Sequence, residues 1–356
     1  MENKNIAVIQ ARMGSTRFPG KSIATIAGKP LIWHIIYRLR KSRKLSKIYL
    51  ATSVANENDV LEKYVASLGV EVIRGSEENV FSRFESIFKV TNPATITRVC
   101  GDCPLIDATF IDRVLDIIQE EGVDYVKSDI PKSINQGVDI VSKRLFNQLL
   151  PYKDDPIIKE HVFSFSHLKL NQIKIGITRL SGYEYDSNIR LSVDTKSDLT
   201  FIRTLYKECN ALAGTLSLKE IVKKTKENPS LKTINSHVHQ KAPEQKTKKV
   251  FFLYNKKSNS SMLKLARKYV ESEGMGVRFL VKKNEILDEK IDNNGFGVLR
   301  YSTKSELSKI IESSSIDFLI AEDLEEKFVF EMGLRSHIFL KGNLKKYGYN
   351  DLSTTR

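Results

Sequence analysis

Cysteine is scarce in this chain: three in 356 residues, at positions 100, 103 and 209. So few thiols cannot form a disulfide framework, which excludes the small disulfide-stapled secreted classes. Cys100 and Cys103 stand at C-x-x-C spacing, but no second pair and no nearby histidine accompany them. A zinc site is therefore not expected, and the two read as incidental thiols in a reducing compartment. Long apolar runs are also missing, and none approaches the ~20 residues of a membrane span. The polar first residues lead straight into a short apolar stretch, so no secretory leader is expected and the cytoplasm is the expected location. Acidic residues are outnumbered, 43 against 57 Lys and Arg, for a net charge of +14. Such an excess suggests an anionic partner, yet eleven lysines and only three glutamates crowd between 219 and 260. No basic helix is interleaved with aromatics. A solvated basic linker is the expected reading, and no nucleic-acid partner is expected. A weaker alternative is attraction to an anionic membrane surface.

What is present is concentrated near the N-terminus. Residues 9–30 read IQARMGSTRFPGKSIATIAGKP. The apolar run 6–9 reads as a buried strand and passes into a loop holding Arg12, Gly14, Ser15, Arg17, Gly20 and Lys21. Gly28 and Lys29 follow ahead of a helix. Small residues let backbone N–H groups approach phosphate oxygens, and the fixed cations neutralise charge that backbone dipoles cannot. At a strand's carboxyl end such a loop reads as a polyphosphate cradle. It is not a Walker A loop, because Gly14 to Gly20 is one residue too long for that spacing.

Apolar strands alternate with amphipathic helices from the start. Strands are expected at 6–11, 47–53, 70–74, 95–101 and 124–128, and helices at 30–40, 59–68, 80–90 and 109–121. Ile32, Ile35, Ile36 and Leu39 show the helical spacing, and Trp33, beside that stripe, reads as packing. This alternation implies a Rossmann-like α/β domain with a mostly parallel sheet. Strands at 137–142, 173–179 and 189–194 lack long helices between them and suggest an antiparallel or edge extension. Helices return at 196–208 and at 218–226, the latter behind a Ser217/Glu220 capping box. Residues 229–248 are polar and aperiodic and read as a linker between a domain over 1–228 and a small Rossmann-like α/β domain over 249–356. In the second domain strands are expected at 250–254, 277–281, 297–301, 318–321 and 337–340, and helices at 262–273 and 305–312. Its first turn, 255–261, lacks a dinucleotide fingerprint, and its role is open between ligand binding and assembly.

Asp102 stands directly behind an expected strand, with Gly101 before it and Pro104 two residues on. That places a carboxylate at the sheet's carboxyl edge, where it could ligate Mg²⁺, which takes one or two protein carboxylates plus phosphate oxygens and water. A loop or helix-cap carboxylate is the plainer alternative. Lone arginines at 74 and 98 could also reach a ligand there.

The loop over 9–21 closely resembles the opening of the cytidylyltransferases that make CMP-activated acidic sugars: the CMP-Kdo and CMP-sialate synthetases and the spore-coat-polysaccharide type. Their I-x-A-R-x-G-S-x-R-x-P-G-K pattern is matched at every fixed position, Ala11 included. Residues 101–105 (GDCPL) resemble the family's G-D-x-P-L, and 190–199 (RLSVDTKSDL) resemble R-L-T-V-D-T-P-E-D-L, with Lys196 replacing the usual proline. The resemblance implies Asp102 and Asp194 as metal ligands, Asp198 as a helix-start residue, and Arg12 and Lys21 as the catalytic cations, with Arg17 and Lys29 next in the phosphate clamp. Residues 137–141 (GVDIV) resemble G-x-D-V-E without its glutamate, leaving Asp139 as either a substrate contact or a strand-start carboxylate. Residues 159–162 (KEHV) resemble R-E-H-V, so His161 either orients substrate or takes a proton, or only caps and packs. Taken together, the resemblance implies a Mg²⁺-dependent nucleotidyltransferase of residues 1–228 that joins CTP to an acidic sugar or glycan precursor and releases pyrophosphate. A homodimer is implied as well. The alternatives are a nucleotide-sugar-dependent glycosyltransferase, for which no D-x-D motif is present, and a non-catalytic scaffold in glycan assembly.

Overall fold

The structure, a computed structural model, describes residues 4–128, 137–178, 189–236, 238, 248–254, 259–287, 291, 296–313 and 318–321. The chain divides into two units. The first comprises Met1–Gly14, Gly20–Asp194 and Asp198–Ser236; the second comprises Ser15–Pro19, Thr195–Ser197 and His237–Arg356.

The first unit is built on β1 (Asn5–Gln10), whose residues Ile6 to Ile9 are buried. A continuous apolar run of this kind fits a strand covered on both faces, and β1 indeed has parallel neighbours on each side. Behind it, β2 (Thr25–Ile26) and β3 (Lys29–Pro30) form a small antiparallel pair. Their turn uses positive φ at both Ala27 and Gly28, the geometry that suits a two-residue hairpin. It delivers the chain into α1 (Leu31–Leu39), which buries Ile32, Ile35, Ile36 and Leu39 as its spacing predicts. Trp33 stacks on Tyr37, in keeping with packing.

β4 (Lys47–Ser53), α2 (Asp59–Ser67), β5 (Glu71–Gly75), α3 (Val80–Thr91), β6 (Thr95–Cys100) and α4 (Ala108–Glu121) follow within a residue or two of the expected bounds. Local chemistry sets the ends. Asn79 and Asp107 accept N-cap bonds from Ser82 and Thr109, and Asn92 and Gly122 close the helices at positive φ. Next come β7 (Tyr125–Ser128), β8 (Val138–Ser142), the short helices α5 (Lys143–Leu149) and α6 (Pro156–His161), and β9 (Ile175–Thr178). The unit closes with α7 (Lys196–Glu208), which begins in the segment grouped with the second unit, and α8 (Leu218–Glu227), headed by the expected capping box.

The strand order is β5-β4-β1-β6-β8-β7-β9. β5, β4, β1 and β6 are mutually parallel, while β8 runs antiparallel to both of its neighbours. The expected antiparallel extension is therefore present. One face packs Phe81, Phe84, Phe88, Phe146 and Phe163 against Ile6, Val8, Ile96 and Val141. Each buried phenylalanine contributes ~1.5–3 kcal/mol.

Two expectations are corrected. Residues 189–194 form no strand. Their backbone groups are met singly: Val193 N–H donates to Asp102 O (2.8 Å), Asp194 N–H to Asp198 Oδ2 (3.0 Å), and Asn235 Nδ2 to Arg190 O (3.1 Å). With those groups served from three different places, no ladder forms. The linker also does not begin at 229. Residues Pro229–Ile234 form a 3₁₀ turn that buries Leu231, and Asn235 is buried behind it.

In the second unit, β10 (Lys249–Leu253), β11 (Gly276–Lys282), β12 (Gly297–Tyr301) and β13 (Phe318–Ile320) make a parallel sheet ordered β12-β11-β10-β13. Val250 and Phe252 pack on one face with residues of α9 (Asn259–Glu271), among them Met262 and Ala266. Phe251 and Leu319 pack on the other with Leu307 and Ile311 of α10 (Lys304–Ser313). The strand expected at 337–340 and most of the 255–261 turn lie outside the described residues.

Candidate functional site

The strand order changes direction between β1 and β6, since the chain moves from β1 outward to β4 and β5 and then returns to β6. In open α/β sheets ligands bind outside the carboxyl ends at such a switch point. The loops after β1 and β6 meet there closely. Gly101 N–H donates to Gln10 O (2.8 Å), and a Cβ on Gly101 would stand 2.4 Å from the Ala11 Cβ. Glycine at 101 and a small residue at 11 are thus required by contact, whatever the chemistry.

Three predicted residues converge at this place. Lys21 Nζ lies 3.0 Å from Asp102 Oδ2 and 2.9 Å from Asp194 Oδ1. Asp102 arrives from the end of β6, Asp194 from the irregular segment tied to it by the Val193–Asp102 bond, and Lys21 from the loop after β1. Gly20, at φ 75°, turns that loop and bonds Met13 O (2.8 Å), while buried Ser22 donates to Arg12 O. Burial alone would depress the Lys21 ammonium, but the two carboxylates hold it above the ordinary lysine value. Two carboxylates sharing one cation offer hard oxygen donors of the kind a divalent ion takes. Among the described residues no cluster of three or more metal-binding side chains exists. An ion here would therefore draw its remaining ligands from substrate oxygens and water.

Asp194 is held from its other side as well. Arg190 Nη2 bonds Asp194 Oδ2 (2.5 Å), and Arg190 Nε bonds Asp198 Oδ1 (2.9 Å). Burial would lower the Arg190 guanidinium, but Asp198 and Asp194 hold it up.

A second group forms where β6 and β8 pair with Arg98 directly opposite Asp139. Arg98 Nη1 bonds Asp139 Oδ2 (2.8 Å) and its Nε bonds Gln10 Oε1 (3.0 Å). Burial and the Asp139 carboxylate push the Tyr125 hydroxyl above its usual range. Cys100 and Cys103 are both free; Cys100 lies beside this group, where burial pushes its thiol up to about 11, while Cys103 Sγ donates to Asp102 Oδ1 (3.2 Å). A thiol raised by burial is a poor nucleophile at neutral pH.

The other predicted residues are placed elsewhere. Arg12 pairs with Glu77 (3.4 Å) and is half exposed. Gly14 lies beside the Glu57 carboxylate. Lys29 reaches over the Trp33 ring. Arg74 is not aimed at the Lys21 group: it is tied to Asp59, Glu62 and the carbonyls of Ser53 and Ala55, and so braces the segment between β4 and α2. His161 ends α6. Ser15 and Arg17 belong to the segment grouped with the second unit.

Several side chains at the site carry no motif. Asn58, fully buried, accepts from Met13 N–H and fixes the loop after β1. Arg83 is buried against the carbonyls of Ser76 and Glu77, and burial with the nearby Arg12 charge lowers it to about 10. Arg190 lies inside the quoted motif, but only the partner aspartates in space reveal what it does.

A family model described as cytidylyltransferase matches residues 6–217. The spore coat polysaccharide biosynthesis protein SpsF of Bacillus subtilis is 29% identical over 242 residues, 65% of this chain and 98% of its own. A 3-deoxy-manno-octulosonate cytidylyltransferase of Geobacter sulfurreducens is 34% identical over 116 residues, 32% of this chain and 45% of its own. Among solved structures, a cytidylyltransferase from Leptospira borgpetersenii serovar Hardjo-bovis superposes with a TM-score of 0.58 at 26% identity, covering 64% of this chain and 96% of its own.

Proposed function

This chain belongs to the cytidylyltransferase family, and from that premise we propose that it transfers CMP from CTP to an acidic sugar or related glycan precursor with Mg²⁺ as the metal. The observation that carries the reading is the Lys21 ammonium shared by Asp102 and Asp194 at the switch point of the sheet. In the reaction, the acceptor hydroxyl oxygen bonds to the α-phosphorus of CTP. The bond to the bridging oxygen breaks, pyrophosphate leaves with the electron pair, and the hydroxyl proton passes to water. Charge grows on the leaving phosphates, and there is little covalent work for side chains, so positioning and electrostatics dominate.

Lys21 is the catalytic cation in this reading, held ready beside the carboxylates and free to follow phosphate on its flexible stem. Asp102 and Asp194 would hold Mg²⁺, which supplies charge neutralisation and orients phosphate oxygens. Arg12, half exposed near the same loop, is a second phosphate contact. For Ser15, Arg17 and Lys29 the phosphate role rests on the motif alone. Arg98 and Asp139 are proposed on the acceptor side, where the ion pair fixes the guanidinium fork for a carboxylate or hydroxyl.

The test is pyrophosphate release with CTP across a panel of acidic and 3-deoxy sugars, with and without Mg²⁺. Asp102→Asn and Asp194→Asn should each cut Mg²⁺-dependent turnover at least ~10²-fold, since Asn keeps shape and removes the charge a hard cation needs. Release by either variant at the wild-type rate under limiting Mg²⁺ would remove that aspartate from the site.

A further inference from the structure

We infer that Asn235, outside every motif and within the stretch that reads as linker, is a positioning residue for Asp194; the inference rests on the nucleotidyl-transfer reading above. Asn235 is buried, 3% exposed, just past the 3₁₀ turn Pro229–Ile234. Its Nδ2 donates to Asp198 Oδ1 (3.0 Å) and to Arg190 O (3.1 Å). Asp198 has no exposed surface. Its Oδ1 also accepts from Arg190 Nε, and its Oδ2 accepts from the Asp194 backbone N–H. Arg190 in turn holds Asp194 Oδ2. One amide therefore grips the backbone and, through Asp198, the guanidinium of the arginine that orients the proposed metal ligand.

The geometry decides which Asp194 oxygen serves substrate. Oδ2 faces Arg190, whose fork is locked by buried Asp198 and Asn235, and Oδ1 faces Lys21 on its four-carbon stem. The locked partner stays and the flexible one yields, so Oδ1 is the oxygen presented to an incoming cation. Outer partners that orient metal ligands typically change affinity or activity by ~10–100-fold when removed. An asparagine suits the task because its amide donates twice without adding charge beside a buried carboxylate.

The experiment uses the full chain and two variants, Asn235→Ala and Asn235→Ser. Mn²⁺ affinity in the presence of CTP is read by electron paramagnetic resonance, and kcat and KM by pyrophosphate release. The expected result for Asn235→Ala is Mn²⁺ binding weakened ~10-fold or more with a comparable loss in kcat, while KM for CTP moves less than about threefold. Asn235→Ser, which keeps one donor on a shorter stem, should fall between it and wild type, and it carries the test if the alanine variant fails to fold. Mn²⁺ affinity within twofold of wild type in the folded variant overturns the proposal, whatever its melting temperature. Failure of the wild-type chain itself to bind Mn²⁺ with CTP or to release pyrophosphate overturns the functional reading, and the positioning role with it.

Discussion

Replacing Lys21 by methionine keeps an unbranched side chain, one atom shorter, and removes the charge that two aspartates share. Lys21 is 12% exposed, Asp102 25% and Asp194 18%. Removing one partner of a buried ion pair costs ~3–5 kcal/mol. The lower end applies here, because both carboxylates keep some water and Arg190 still neutralises Asp194. Asp102 retains the weak Cys103 thiol donor and loses its cation. A loss of about 3 kcal/mol in a unit of this size lowers Tm by roughly 6–12 °C. The assay is a thermal scan in chelator and again in excess Mg²⁺ without nucleotide. In wild type, Lys21 competes with the ion for Asp102 Oδ2 and Asp194 Oδ1, so added Mg²⁺ should stabilise little. In Lys21→Met the carboxylates are vacated, and an ion at a hundred times its Kd returns about 2.7 kcal/mol. Most of the lost Tm should then come back, while turnover stays down at least ~10²-fold for want of the ammonium at the phosphates. A chelated variant melting within a degree or two of wild type would refute the reasoning. So would Mg²⁺ shifts of equal size in the two proteins.

Two further outcomes follow from the same structure. Burial alone would raise the Asp124 carboxyl, but Arg144, Ser142 and the Lys174 N–H pull it below its ordinary 3.8. Its stabilisation is therefore complete above that value and lost as pH falls through the lower folded one. Asp124→Asn should cost roughly 2–3 kcal/mol at neutral pH, with urea midpoints of variant and wild type converging below about pH 3.8. Ending the chain at 228 removes buried Leu231 and Asn235, whereas ending it at 236 keeps both. The shorter chain should melt roughly 10 °C lower and bind Mn²⁺ with CTP more weakly; equal behaviour of the two would restore a boundary at 228.

The alternating part of the fold was legible because each element carries its own signal. Residues 6–9 are apolar without interruption, as a strand covered on both faces must be, and 32, 35, 36 and 39 repeat at helical spacing. Signals of that kind are local. The segment 189–194 shows where they mislead. Ile189, Leu191 and Val193 are buried and alternate like a strand, but alternation reports which side chains face the core and not whether a neighbouring backbone is there to pair. Here the backbone bonds go to Asp102 O, Asp198 and Asn235 instead.

The same distinction runs through the site. Lys21 and Asp102 could be named from their own surroundings and Asp194 through the resemblance of its motif, yet nothing along the chain brings positions 21, 102 and 194 to one point. That meeting depends on β1 and β6 being neighbours and on a glycine at 101 letting their loops touch. Arg74 fails as a ligand candidate for the converse reason: an arginine behind a strand looks available until Asp59 and Glu62 are found on its guanidinium. Asn235 lies beyond either kind of reading. A polar stretch with Pro, Lys and His has the composition of a linker, and a single asparagine has no period and no charge. Its contribution exists only through two acceptors, 37 and 45 residues back along the chain. A polar segment after such a domain is therefore better tested for buried amides than dismissed by composition, because here one such amide bonds both the Arg190 carbonyl and the buried carboxylate paired with the Arg190 guanidinium.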